Sequence, residues 1–275
     1  MRDHGYTPDM TSLETRPWTN TAVDSGWTAL EAELDIWQTA SRTASFWWRD
    51  DDAIADTPAL DRLLTLADGL PIAIAVIPGK AEGGLAKRLA RVPAAAVLQH
   101  GWRHTNHAPA GGCKSEFGTH RPLSQRLHEL RLGRERLQSL FGPCALGVLV
   151  PPWNRIPPDL VPQLPDIGIG GLSVAGARTT AAPVSGLSAV NVHADLVDWH
   201  GSRGFVGEAT ALGLVLRHLR SRFLAAVDAQ EPTGILTHHL VQDAPTEHFL
   251  RRLIATLRRH SAASFVPIPK LFAVS

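Results

Sequence analysis

Apolar and polar positions change in blocks along the chain, and the blocks predict an alternation of strands and helices. Leu30, Leu34 and Trp37 recur at helical spacing and predict a helix over Trp27–Ala40. Ser45–Arg49 (SFWWR) reads as a short aromatic strand that runs into Asp50, Asp51 and Asp52. Thr57–Ala67 predicts a helix with Thr57 as its cap before Pro58. Ile72–Ile77 (IAIAVI) is apolar throughout and closes on Pro78-Gly79, the pattern of a parallel strand buried on both faces. The rhythm continues with helices over Lys80–Arg91, Pro122–Phe141, Glu208–Ala229 and Thr246–His260, and one or two helical turns over Leu160–Leu164. Strands are predicted over Ala96–Gln99, Ala145–Val150, Ile167–Val174, Leu187–Val192, Ile235–His238 and Phe265–Ile268.

Apolar strands that alternate with helices argue for an α/β fold with a parallel sheet. Seven or eight such units fit a barrel better than an open, doubly wound sheet. Residues 1–25 are polar and read as an arm, and 26–275 as a single barrel domain. Apolar residues at 44% and charged residues at 19% exclude a disordered chain or a coiled coil. With 27 Lys and Arg against 26 Asp and Glu, no basic excess is available for a phosphate backbone, so nucleic acid is not an expected partner. No apolar run approaches the roughly 18 residues of a membrane span. The opening residues lack the apolar core of a secretion signal, which sets the expectation of a cytoplasmic protein. Cys113 and Cys144 make no disulfide framework.

Polar clusters fall where the predicted strands end, the place where parallel barrels gather their chemistry. Asp50-Asp51-Asp52 follows SFWWR, and His100-Gly-Trp-Arg-His104 follows AVLQ. Pro151-Pro-Trp-Asn-Arg155, Asp195-Leu-Val-Asp198-Trp199 and His238-His239 each follow a later strand. His100 and His104 stand at i and i+4, a spacing that on a helical turn puts both imidazoles on one face, able to share a metal ion. A carboxylate from another strand end would complete a two-His, one-carboxylate set with open positions for water. Adjacent carboxylates repel one another unless a cation or an arginine sits nearby, which fits the Asp run to such a set.

In their order and spacing these clusters resemble the five motifs of the polysaccharide deacetylase family, the NodB-homology carbohydrate esterases. Asp195-Leu-Val-Asp198-Trp199 and Leu236-Thr-His238 match the fourth and fifth motifs letter for letter. The first motif departs, with Arg49 before three Asp. In the second, Gly101 stands where the family has a hydroxyl residue, and in the third the arginine comes last, as Arg155.

The resemblance implies a distorted (β/α)7 barrel that holds one divalent metal, most often zinc, with cobalt or nickel as alternatives. Aligning Asp51 and Asp52 with the family's pair makes Asp52, His100 and His104 the metal ligands and Asp51 the general base, with Asp50 as competitor. His238 becomes the general acid, with His239 either the true acid or a residue on the opposite strand face. Arg155 or Arg49 would pair with Asp51, and Asp198 or Asp195 would orient His238. Trp153, Trp199, Asn154 and Trp102 are the expected substrate contacts, since flat aromatic faces stack on sugar rings. One of Trp47 and Trp48 belongs to the core. Glu116 and Arg121 either rim the pocket or, the favoured reading, cap the following helix, and His107 stands behind the ligands or competes with them. The implied activity is removal of an acetyl group from an N- or O-acetylated carbohydrate. The alternatives are hydrolysis of a non-peptide C–N bond in a small molecule and a non-catalytic sugar-binding barrel.

Overall fold

The computed structural model describes residues 20–273. The expected polar arm therefore lies outside the described residues up to residue 19. Helix α1 (Asn20–Thr39) is already helical at Asn20, ahead of the expected start at Trp27. There follow β1 (Ala44–Ala53), α2 (Pro58–Ala67), β2 (Ile72–Val76), α3 (Gly83–Leu89), β3 (Ala95–His100), α4 (Leu123–Phe141) and β4 (Ala145–Val150). The second half holds β5 (Gly171–Leu172), β6 (Ser188–Ala189), β7 (Ala194–Asp195), α5 (Glu208–Phe223), β8 (Thr233–Thr237), α6 (Ala244–Arg259), β9 (Ala263–Phe265) and α7 (Ile268–Leu271).

The strands form one parallel sheet in the order β6-β5-β4-β3-β2-β1-β8-β7, with β9 laid against the start of β1. The two ends of this order are consecutive in the chain, and one stretch joins them. Val190 and Val192 donate to Leu172 and Val174, after which His193 and Leu196 donate to Gly234 and Leu236. The ladder thus changes partner at a seam, which makes the barrel a distorted one.

Strand alternation sorts the side chains. Ile72, Ile74 and Val76 face the helices, whereas Ala73 and Ala75 face an interior filled by Trp47, Leu98, Val148 and Val150. Both tryptophans of SFWWR are buried. Trp47 lies inside the barrel against Phe272, and Trp48 lies under the helices with its Nε1 donating to Thr237 Oγ1.

The sequence places most elements and misses some ends. Helix α5 stops at Phe223, not Ala229, because the chain turns at Ala225 with a left-handed φ of 54°. The strand expected at Phe265–Ile268 ends at Phe265, and α7 begins at Ile268 with Pro269 in its first turn.

At the amino end of the barrel, His193 and His218 stack 3.3 Å apart over Glu231. Their nitrogens and the Glu231 carboxylate are close enough to suggest a metal set. Yet His193 Nδ1 accepts the Gly234 N–H, so its Nε2 carries the proton and faces Glu231. His193 therefore has no Nε2 lone pair for an ion, and the cluster is a buried polar one in which His218 Nδ1 meets Thr233 Oγ1.

Burial, followed by the charges of His193 and Arg222, lowers the His218 pKa to about 2. His218 is thus neutral in the folded protein, while the unfolded chain binds a proton below its ordinary pKa of about 6.5. The stability it contributes is fully present above that pH and falls away on acidification, by up to about 1.4 kcal/mol per pH unit. Stability curves of the wild type and of His218→Asn should therefore converge as the pH falls below 6.5. Parallel curves from pH 8 to 5 would refute the buried neutral imidazole.

Candidate active site

Parallel pairing and register bring the polar strand ends to one rim. Asp50 lies opposite Thr237, His100 opposite Val150, and Asp195 opposite Leu236. Between Asp50 and Ala53 the pairing of β1 with β2 slips, and Asp52 takes a φ of 72°. A bulge of this kind re-aims a side chain next to a site, and Asp is among the few residues that tolerate it. Asp52 Oδ1 consequently lies 3.1 Å from His100 Nε2 and 3.5 Å from His104 Nε2.

His100 and His104 do not share a helical face, as the i, i+4 spacing had suggested. His100 ends β3, and the chain then turns through Gly101 and His104 with φ of 59° and 55°, bringing the imidazoles to 5.0 Å between ring centres. Burial opposes protonation of His100, but the Asp51 charge and the Asp52 contact outweigh it and raise its pKa. Burial and the neighbouring His100 push His104 down to about 4. Burial alone would raise the pKa of Asp52, yet the close His100 and the other surrounding imidazoles hold it well below the usual carboxylate range.

These three side chains fit a divalent ion. One ligand atom from each lies within 4.8 Å of the others. The His100 Nδ1–H donates to the Val150 carbonyl at 3.0 Å, which turns the Nε2 lone pair toward the site. Asp52 Oδ1 is buried without a hydrogen-bond donor. Three ligands leave positions open for water and substrate.

Asp51 lies beside this set, on the interior face of β1 with Arg49. The guanidinium clasps its carboxylate, Nη2 to Oδ2 at 3.0 Å and Nε to Oδ1 at 2.9 Å. Nη1 donates to the Ser173 carbonyl and hydroxyl, and Nη2 also donates to Asn154 Oδ1. Of the two arginines left open by the sequence, Arg49 is thus the partner of Asp51. Arg155 is turned outward and donates to the Lys114 carbonyl. Asn154, expected to touch substrate, braces Arg49 through its Oδ1.

Asp50 points to the opposite face of the strand. Its carboxylate accepts from Thr237 Oγ1 at 2.6 Å, from the His239 backbone N–H at 3.0 Å, and from His239 Nδ1. Asp50 thereby grips the residues on either side of His238, and His239 is the group on the far face. Burial disfavours the His239 cation, but the Asp50 charge and hydrogen bond outweigh it and raise its pKa. Asp50→Asn leaves a buried imidazole without its counter-charge and should lower unfolding stability by about 3–5 kcal/mol in urea titrations. A loss below about 1 kcal/mol would mean that this pair holds nothing together.

His238 meets Trp199 edge to face at 4.8 Å. Trp199 Nε1 donates to Asp195 Oδ2 at 2.8 Å. Burial raises the Asp195 pKa, and the charge of His238 acts against that rise. Asp195 reaches His238 only through Trp199, and His238 Nδ1 is buried without a hydrogen-bond partner among the described residues. Asp198 instead caps the next turn, accepting from the Gly201 and Ser202 N–H groups. Trp153, with a φ of 56°, packs its ring 4.4 Å from that of His104, and Trp102 lies under the Arg103 guanidinium.

Sequence reasoning missed Ser173, a buried residue just past β5 that carries no charge to mark it. It also assigned Glu116 to helix capping. Glu116 is buried, and its carboxylate accepts from the N–H groups of Trp102, Arg103 and Thr105.

No family model matches the chain, and no curated protein matches it. Solved structures do. The chain is similar to a Mycobacterium smegmatis protein assigned as a polysaccharide deacetylase, with a TM-score of 0.57 and 15% identity over 83% of this chain and 88% of that one. A family 4 carbohydrate esterase from Streptomyces lividans, in complex with acetate, superposes with a TM-score of 0.53 and 14% identity over 84% of this chain and 97% of the other. A peptidoglycan N-acetylglucosamine deacetylase gives a TM-score of 0.53 and 18% identity over 85% and 90%. What is shared at such identities is the fold: the chain has the distorted (β/α)7 barrel of the polysaccharide deacetylases.

Proposed function

We propose that the protein is a metal-dependent hydrolase that removes the acetyl group of an N- or O-acetylated carbohydrate. The observation that carries this reading is the convergence of Asp52, His100 and His104 within 4.8 Å, with the Arg49-clasped Asp51 next to them on the same strand. Asp52, His100 and His104 would hold the ion, for which zinc suits the two-nitrogen, one-oxygen donor set. Bound there, it supplies Lewis acidity to water and to the acetyl carbonyl.

The remaining work falls to side chains. Asp51 takes a proton from the attacking water, whose oxygen bonds to the carbonyl carbon. His238 gives a proton to the departing nitrogen or oxygen as the C–N or C–O bond breaks, and acetate and the free sugar amine or hydroxyl result. An amine leaves only when protonated, so an amide substrate depends on His238 more than an ester does. Pro152 has no N–H, so the backbone donor this turn offers to the oxyanion is that of Trp153. Trp153 and Trp199, beside His104 and His238, supply flat apolar faces for a sugar ring.

The three similar structures act on or are assigned to polysaccharide, carbohydrate ester or peptidoglycan, which supports an acetylated glycan here. None of the described helices is long and apolar enough to cross a membrane. A cytoplasmic location, which belongs to this proposal, would favour nucleotide- or lipid-linked sugars over bulk polymer. The test is acetate release from acetylated oligosaccharides and chromogenic acetyl esters, with zinc or cobalt present. Absence of acetate from zinc-loaded protein would overturn the reading in favour of a small-amide hydrolase or a binding barrel.

A further inference from the structure

The turn between the two histidine ligands has an unfavourable backbone. Gly101 and His104 both sit at positive φ, 59° and 55°, and a non-glycine residue held there costs about 1–3 kcal/mol and persists only where its surroundings impose it. Glu116 imposes it. The side chain reaches back from the following loop and is 1% exposed. Its Oε2 accepts the Trp102 N–H at 3.0 Å, and its Oε1 accepts those of Arg103 at 2.7 Å and Thr105 at 3.3 Å. No lysine or arginine pairs with this carboxylate among the described residues, so backbone N–H groups alone meet its charge.

Glycine at 101 follows from the same geometry. A Cβ there would lie 2.0 Å from Glu116 Oε2 and 2.6 Å from Pro152 Cγ. The hydroxyl residue of the motif that this segment resembles has no room, because the Glu116 carboxylate fills its place. The Glu116 backbone is held in turn: Arg121 donates to its carbonyl at 2.8 Å and forks onto Glu129 at 2.6 and 2.8 Å.

We infer that Glu116 is the positioning residue of the metal site, fixing the turn of residues 102–105 so that His104 meets His100 and Asp52. The inference rests on the proposed metal centre, and it concerns a residue that touches neither metal nor substrate. Partners behind a ligand of this kind typically govern metal affinity by about 10–100-fold.

The test measures zinc affinity by competition with a chromogenic chelator and records the cobalt(II) ligand-field spectrum. Wild type, Glu116→Ala, Glu116→Gln and His104→Ala are compared well below their melting temperatures. Glu116→Ala should bind zinc about 10–100-fold more weakly, with its cobalt spectrum moved toward that of His104→Ala. Glu116→Gln should fall between, since it keeps one acceptor oxygen and turns an NH2 toward the remaining N–H donors. A lower melting temperature with zinc affinity within threefold of wild type and an unchanged cobalt spectrum would overturn the inference, leaving Glu116 a merely structural residue. If Glu116→Ala fails to fold, Glu116→Gln decides by the same criteria. Wild type that binds no zinc would remove the metal centre itself, an outcome distinct from failure of the Glu116 role alone.

Discussion

Asp52→Asn should abolish tight zinc binding, whereas the neighbouring Asp51→Asn should keep zinc and lower kcat by about 10²–10⁴-fold, the usual contribution of a positioned general base. The two carboxylates are adjacent in sequence but differ in environment. Asp52 sits in a bulge at positive φ and turns to two imidazole nitrogens, while Asp51 stays on the interior face in the grip of Arg49. Asparagine at 52 replaces an anionic ligand with a neutral one. Asparagine at 51 keeps the shape and loses the proton acceptor. Calorimetry with zinc and steady-state acetate release separate the effects. Equal metal loss in both variants would show that the roles are not divided in this way.

Arg49→Met should lower unfolding stability by about 3–5 kcal/mol and also slow turnover. The fully buried guanidinium holds Asp51, Ser173 and Asn154 together, and its removal leaves Asp51 as a buried charge without a partner. Arg49→Lys should recover little of either, because one ammonium cannot reproduce a fork that reaches three residues at once. Urea unfolding and kcat are the readouts. Full stability and rate in Arg49→Lys would show that charge alone suffices and that the clasp is unnecessary.

The site was legible to the extent that it depends on strand ends. Fully apolar runs such as IAIAVI mark parallel strands, and the clusters after them must share a rim once every pairing is parallel. That logic brought the clusters Asp50–Asp52, His100–His104 and His238–His239 to one rim from distant parts of the chain, and the family resemblance singled out residues within them. It could not choose between neighbours. Whether Arg49 or Arg155 meets Asp51, and whether His238 or His239 meets Asp50, is decided by which face of a strand or turn each residue occupies, and a one-residue change of position reverses that face.

Arg155 stands last in its motif, and the turn at Trp153 and Asn154, both at positive φ, directs it away to Lys114. The left-handed residues Asp52 and His104 carry no sequence mark, so the i, i+4 histidines read as helical when the structure makes them a strand end and a turn. Glu116 was hidden for another reason. Its partners are backbone N–H groups, which leave no complementary residue to find in the sequence.

The most direct measurement is the anomalous difference density at the zinc edge from a crystal of the protein soaked in zinc. One peak is predicted, about 2.0–2.2 Å from an Asp52 carboxylate oxygen and from the Nε2 atoms of His100 and His104. No density there at saturating zinc, or density over His193, His218 and Glu231 instead, would contradict the account.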